Sequence, residues 1–281
     1  MLGSDRTTRS LRGFLAFVIF FSLFVILTAQ TSPKPPTQKS NPEFWPVSAL
    51  TYVPESKPSL LGARLAMPKD FPASFYSRSQ VGFCTSTLVG PRVLLTAAHC
   101  VADGDTATVH LGSKTYEGLC NQAPAYGTNE TADWALCLMP VDIPGIPYER
   151  INRDPAAFKL HAEILLTGFG CTATDGSGGN DGKYRIGEAK VAELPSGTNN
   201  DIITRGKVAL CFGDSGGPAF LYLDRAKKRR VQISVNSRGN IVDESHLSST
   251  STQAALTFFQ SWSEKNQVKL CGLHNDATGC R

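Results

Sequence analysis

From Leu60 onward, short runs rich in β-branched and apolar residues recur: Val93–Thr96, Ala107–Leu111, Ala135–Met139, Glu163–Phe169, Ile202–Thr204, Ala219–Leu223 and Val231–Val235. Gly, Pro, Asn and Asp punctuate them. Branched and aromatic side chains suit a pleated, half-buried surface, and the punctuating residues end strands through turn chemistry. Such spacing predicts an all-β barrel or sandwich. One stretch has the other period. Gln253–Asn266 carries Ala254, Ala255, Leu256, Phe258, Phe259 and Trp262 at helical spacing, which predicts a terminal amphipathic helix. Apolar residues make up 41% of the chain, enough for a substantial core and too many for wholesale disorder.

The first thirty residues speak to compartment. Arg6, Arg9 and Arg12 form a basic leader, and thirteen of the fourteen residues Phe14 to Leu27 are apolar, Ser22 being the exception. Small and polar residues follow at Thr28, Ala29 and Gln30. This is the layout of a secretory signal peptide over 1–29. The apolar run is shorter than the roughly 17–25 residues of a bilayer span, which favours a cleaved signal over the alternative, an uncleaved membrane anchor. Residues 30–59 contain Pro33, Pro35, Pro36, Pro42, Pro46, Pro54 and Pro58, which exclude a helix or central strand. They read as a Pro-rich linker or pro-segment, with 60–281 as the folded domain. An exported chain with eight cysteines is expected to carry disulfides. The formal charge of +4 over 281 residues excludes a protein built mainly to coat nucleic acid.

Two local features draw a plain reading. Gly168, Gly170, Gly176, Gly178, Gly179 and Gly182 lack the Lys-Ser/Thr or the dinucleotide fingerprint of phosphate sites, so they read as a mobile surface loop. Arg225, Lys227, Lys228, Arg229 and Arg230 lie between two predicted strands and read as a solvated hairpin tip, with an anionic-surface patch as the alternative.

Three segments carry chemistry: Thr96-Ala97-Ala98-His99-Cys100, Asp133-Trp134-Ala135-Leu136 and Gly213-Asp214-Ser215-Gly216-Gly217-Pro218. A serine hydroxyl is a poor nucleophile unless a base takes its proton, and histidine suits that task near neutral pH. A buried carboxylate then fixes the histidine tautomer and stabilises the imidazolium. Backbone N–H groups must meet the charge on the former carbonyl oxygen, which needs close approach and an unusual turn; glycine permits both. Gly213-Asp214-Ser215-Gly216-Gly217 also satisfies the nucleophile elbow of α/β-hydrolases. That fold requires a helix after the serine and a histidine later in the chain, whereas here a strand-like run follows and His99 precedes. His110, His161, His246 and His274 read as structural, and Cys271, His274 and Cys280 read as a disulfide region rather than a metal site.

These motifs, in the order His, Asp, Ser, resemble the trypsin/chymotrypsin-like serine proteases over about Leu60 to Val268. The resemblance implies two packed six-stranded antiparallel β-barrels with a C-terminal helix. It implies a secreted serine endopeptidase in which His99 is the base, Asp133 orients it and Ser215 attacks, with Gly213 and Ser215 forming the oxyanion hole. It implies no cofactor and no metal, protein or peptide substrates, and protein inhibitors as further partners. Location would be extracellular, or periplasmic in a bacterium, with membrane contact only through an uncleaved anchor. A catalytically silent binding protein of the same family is the alternative. Asp214 matches the residue that pairs with a newly freed N-terminus, and Leu60-Leu61-Gly62-Ala63 is the nearest counterpart of that terminus, without a preceding basic residue. Ala209 matches the base of the primary pocket; Ser237-Arg238-Gly239 matches the strand along which substrate aligns, and Ser251 its wall. An alanine at the base implies small or medium apolar preference rather than Lys or Arg. Cys84 and Cys100 match the family's clamp on the histidine loop. Cys211 lacks its usual downstream partner, leaving Cys171 as the better candidate, with Cys120–Cys137 and Cys271–Cys280 as local pairs. Asn129-Glu130-Thr131 is a glycosylation sequon, meaningful only in a cell that glycosylates.

Overall fold

A computed structural model describes residues 45–46, 63–226 and 229–281. The signal-peptide segment 1–29, most of the Pro-rich segment and Leu60 lie outside the described residues. Two short strands come first, β1 (Trp45–Pro46) and β2 (Arg64–Leu65). Then β3 (Ser74–Arg78), β4 (Phe83–Gly90), β5 (Val93–Thr96), β6 (Thr106–Leu111), β7 (Lys114–Gln122) and β8 (Ala135–Leu138) close into an antiparallel barrel of order β3-β4-β5-β8-β7-β6. The second barrel is built from β9 (Glu163–Gly168), β10 (Arg185–Glu193), β11 (Asp201–Arg205), β12 (Pro218–Asp224), β13 (Arg229–Gly239) and β14 (Glu244–Ser249). Its order is β13-β12-β9-β10-β11-β14, and β13 pairs with β14 to close it. Two closed six-stranded antiparallel barrels plus one C-terminal helix, α1 (Gln253–Lys265), are the expected architecture. They exclude the α/β-hydrolase alternative, because Ser215 is followed by strand β12 rather than a helix.

All seven predicted strand runs lie on observed strands, with ends shifted by a residue or so except in β13, which extends to Gly239. In β6, Ala107 and Val109 face the core while Thr106 and His110 face solvent, the alternation of a half-buried strand. The helix starts where the Thr252 hydroxyl accepts the Ala255 N–H. It buries Ala255, Phe258, Phe259 and Trp262 against the first barrel's core. Each of its aromatic side chains contributes about 1.5–3 kcal/mol by leaving water. Trp262 Nε1 also donates to Asn121 Oδ1 at 3.0 Å, fixing the helix against the end of β7.

Two sequence readings need correction. The basic run is not one solvated tip. Arg230 is buried (2% exposed) and forms a two-pronged ion pair with the fully buried Glu149. Its guanidinium lies 4.1 Å and 4.5 Å from the ring centres of Phe71 and Phe220 and donates to the Asp70 carbonyl. Period-2 alternation turns Arg230 inward while Arg229 stays exposed, and charge alone could not foretell it. The glycine-rich stretch is likewise not all surface: Gly168, Gly170, Gly176 and Gly178 are buried. A Cβ at Gly168 or Gly170 would stand 2.2 Å or 2.6 Å from the Asp214 carboxyl group, so these glycines make room for that side chain.

Candidate active site

The three motifs meet where strands from both barrels end. His99 sits in the short 3-10 turn Ala98–Cys100 that follows β5. Two ties hold that turn. Cys100 is disulfide-bonded to Cys84 on β4, and Gln122 Nε2 donates to the carbonyls of Ala98 (2.8 Å) and Val101 (2.7 Å). Asp133 lies just before β8, next to Trp134, whose indole N–H donates to the Ser248 carbonyl of the second barrel at 3.2 Å. Ser215 occupies the turn between β11 and β12. Its carbonyl accepts from Thr85 N–H on β4 at 2.7 Å, and Gly216 N–H donates to Asn236 O on β13 at 2.8 Å. The turn is thus fastened to each barrel.

The side chains form a line. Ser215 Oγ is 2.7 Å from His99 Nε2, and His99 Nδ1 is 2.6 Å from Asp133 Oδ2. His99 N–H donates to Asp133 Oδ1 at 2.9 Å, and Ser237 Oγ donates to Asp133 Oδ2 at 2.6 Å. Burial pushes the Asp133 carboxyl up, but the His99 charge and the hydrogen bonds from His99 and Ser237 outweigh it and hold it below the usual carboxylate range. An ionised carboxylate only accepts, so Nδ1 carries the proton and Nε2 is left to accept from the serine hydroxyl. A hydroxyl, imidazole and carboxylate so arranged can move a proton off the serine oxygen as it attacks.

The backbone beside Ser215 has the needed turn. Gly213 has φ +99° and Gly216 φ +77°, both in the region that favours glycine. A Cβ on Gly216 would stand 2.1 Å from Thr96 Oγ1. Among the described residues the N–H groups of Gly213 and Ser215 donate to no protein acceptor. Asp214 points the other way into the protein. Its Oδ1 accepts from Gly170 N–H and its Oδ2 from Cys211 N–H, each at 2.9 Å. Burial dominates and raises it to about 7 despite those bonds and the charge of Arg185. No described cation forms an ion pair with Asp214.

The remaining expected residues are placed as follows. Ala209 is fully buried in the connection that leads to Ser215, and Ser237, Gly239 and Ser251 are buried on β13 and after β14. The cysteines join as Cys84–Cys100, Cys120–Cys137, Cys171–Cys211 and Cys271–Cys280. Cys171–Cys211 ties the Gly-rich stretch to the segment holding Ala209 and Gly213. Asn129 Nδ2, in the sequon, donates to Thr198 O at 2.8 Å. Sequence reasoning missed two contributors. Thr85 Oγ1 donates to Gly213 O at 2.8 Å and accepts from Phe169 N–H, bracing the turn. Ser237 was expected only beside substrate, yet it also donates to Asp133; no local signal distinguishes that second role.

Two closed barrels with a Ser–His–Asp line at their meeting edge define the chymotrypsin fold. The family model for trypsin matches residues 62–245, and the chain belongs to the trypsin family of serine proteases. No curated protein matches the chain.

Proposed function

We propose that the chain is a secreted serine endopeptidase that hydrolyses peptide bonds through an acyl-enzyme. The observation that carries this reading is the continuous hydrogen-bonded line Ser215–His99–Asp133. Ser215 Oγ attacks the substrate carbonyl while His99 Nε2 takes its proton. Asp133 keeps the Nδ1 proton in place and stabilises the imidazolium. The N–H groups of Gly213 and Ser215 receive the developing oxyanion. The imidazolium next protonates the leaving amine, and water, activated by the same nitrogen, releases the acyl group. Export is supported by the signal-like first 29 residues and by four disulfides. Maturation near Leu60 would free an ammonium group to pair with Asp214, whose buried carboxyl has only backbone donors among the described residues. Buried, uncharged Ala209 favours small or medium apolar residues on the acyl side of the cut bond.

The test is hydrolysis of a peptide panel by chain processed near residue 60. Cleavage after Ala, Val or Leu that disappears in Ser215→Ala supports the reading. Rapid cleavage after Arg with poor cleavage after those residues overturns the specificity. Intact folding with no Ser215-dependent cleavage of any peptide supports the silent binding protein instead.

A further inference from the structure

On β13, the partner β12 stops at Val235, opposite Pro218. Beyond it, Asn236 to Gly239 pair on one side with β14, through Asn236–Leu247, Arg238–His246 and Gly239–Ser245. The other edge of Ser237–Gly239 faces away from β14 and begins at the triad, because Ser237 Oγ holds Asp133. An exposed edge of backbone N–H and C=O groups invites an added strand. The chain supplies one. Trp45 pairs antiparallel with Gly239 and Pro46 with Arg238.

The direction of this pairing matters. Residue number rises in β1 as it falls in β13, so the segment runs from Gly239 toward Ser237 and the triad. A peptide presenting a carbonyl to Ser215 with its acyl side on this edge must run the same way. The proline agrees with the register. Along an antiparallel ladder, hydrogen-bonded and non-bonded pairs alternate. Pro46 has no N–H, so the pair it makes with Arg238 suits a non-bonded position, and the bonds fall on Trp45 and Gly239.

We propose that the Trp45–Pro46 segment is a built-in occupant of the substrate edge: an extended, proline-containing strand that competes with peptide substrates until the N-terminal region is removed. This rests on the protease reading for its consequence, but the occupancy itself does not.

The test compares two full-length chains in a Ser215→Ala background, which prevents self-digestion. One keeps the natural sequence; the other has residues 43–48 replaced by a Gly/Ser linker of equal length. Hydrogen exchange is followed across 237–239, with β4 and β5 as the internal check on folding. Exchange at the Gly239 amide at least tenfold slower in the natural chain supports occupancy. Equal rates with unchanged barrel protection overturn it. If the replacement disturbs the barrels, the milder pair Trp45→Gly and Pro46→Gly is read in the same way. In chains with Ser215 intact and not yet cut near residue 60, KM for a short peptide ester, read from initial rates, should fall about tenfold on replacement while kcat stays unchanged. Equal KM and equal exchange, with turnover present, would sink the inference and leave the protease reading. Slowed exchange with no turnover in either chain would do the reverse.

Discussion

Replacing Arg230 with Met removes one half of a buried ion pair, and the structure sets the size of the effect. The side chains of Arg230 and Glu149 are 1% and 0% exposed, so no water can take over for the missing guanidinium. A buried charge left alone typically costs 3–5 kcal/mol, about 3 to 5 here. Loss of the guanidinium's contacts with the Phe71 and Phe220 rings adds to that, by about 1 kcal/mol or more. For a domain of this size each kcal/mol shifts the midpoint by about 2–4 °C, so a loss of about 4–6 kcal/mol should lower the melting temperature by roughly 8–24 °C. The double change Glu149→Leu with Arg230→Met removes both charges and should recover most of the loss, since a buried pair gains little over apolar groups of similar volume. Urea unfolding of the Ser215→Ala chain, with single and double variants, gives the coupling directly. A single-variant cost below about 1 kcal/mol, or a double variant as unstable as the sum of the singles, would refute the placement of this pair.

Asp133→Asn should lower kcat/KM about 10⁴-fold with the fold intact, because the amide can no longer hold the Nδ1–H tautomer; steady-state kinetics on a peptide ester checks it. Gly213→Ala puts a Cβ 2.6 Å from Asn180 Oδ1 and 2.8 Å from the Phe83 ring at φ +99°, so kcat should drop about 10²–10³-fold as the oxyanion donors are displaced. The uncut chain should lose stability as pH rises. Burial lifts Asp214 from its ordinary 3.8 to about 7, so the stabilising protonated form is fully present below about pH 4 and is lost as pH passes 7. The span is on the order of 4 kcal/mol, read as urea midpoints at pH 4 and pH 8; a higher midpoint at pH 8 in the uncut chain would contradict it. Ala209→Asp should shift preference toward Lys and Arg by supplying an anionic pocket base, measured as the ratio of kcat/KM for Arg and Leu substrates.

Much of the fold is legible in the sequence because barrel strands such as β5 and β9 bury nearly every residue and so read as unbroken apolar runs. The strands without such runs are harder to see. Thr85, Ser86 and Thr87 of β4 are polar yet buried, and of the three Thr85 serves the Ser215 turn through its hydrogen bonds to Gly213 O and Ser215 O. β7 hides its inward face behind Gly118, where any Cβ would meet Met139 Sδ at 2.7 Å. β14 buries Ser245, Ser248 and Ser249, and Ser245 Oγ accepts from Leu210 N–H. In each case a tertiary contact decides what local hydropathy cannot. The chemical residues were legible for the opposite reason: each sits in a rigid local motif whose glycines, cysteine or aromatic neighbour has its own structural task. Ser237 and Thr85 lack such a setting, and only the folded chain brings them to Asp133 and Gly213.

The most direct test of the central claim is covalent capture of the nucleophile. Chain processed near residue 60 is treated with a fluorophosphonate probe, digested and mapped by mass spectrometry beside Ser215→Ala. The account predicts one adduct on the peptide containing Ser215, absent from Ser215→Ala and strongly slowed in Asp133→Asn. A correctly folded, processed chain that takes up no probe at Ser215, or takes it up equally in Ser215→Ala, would contradict it.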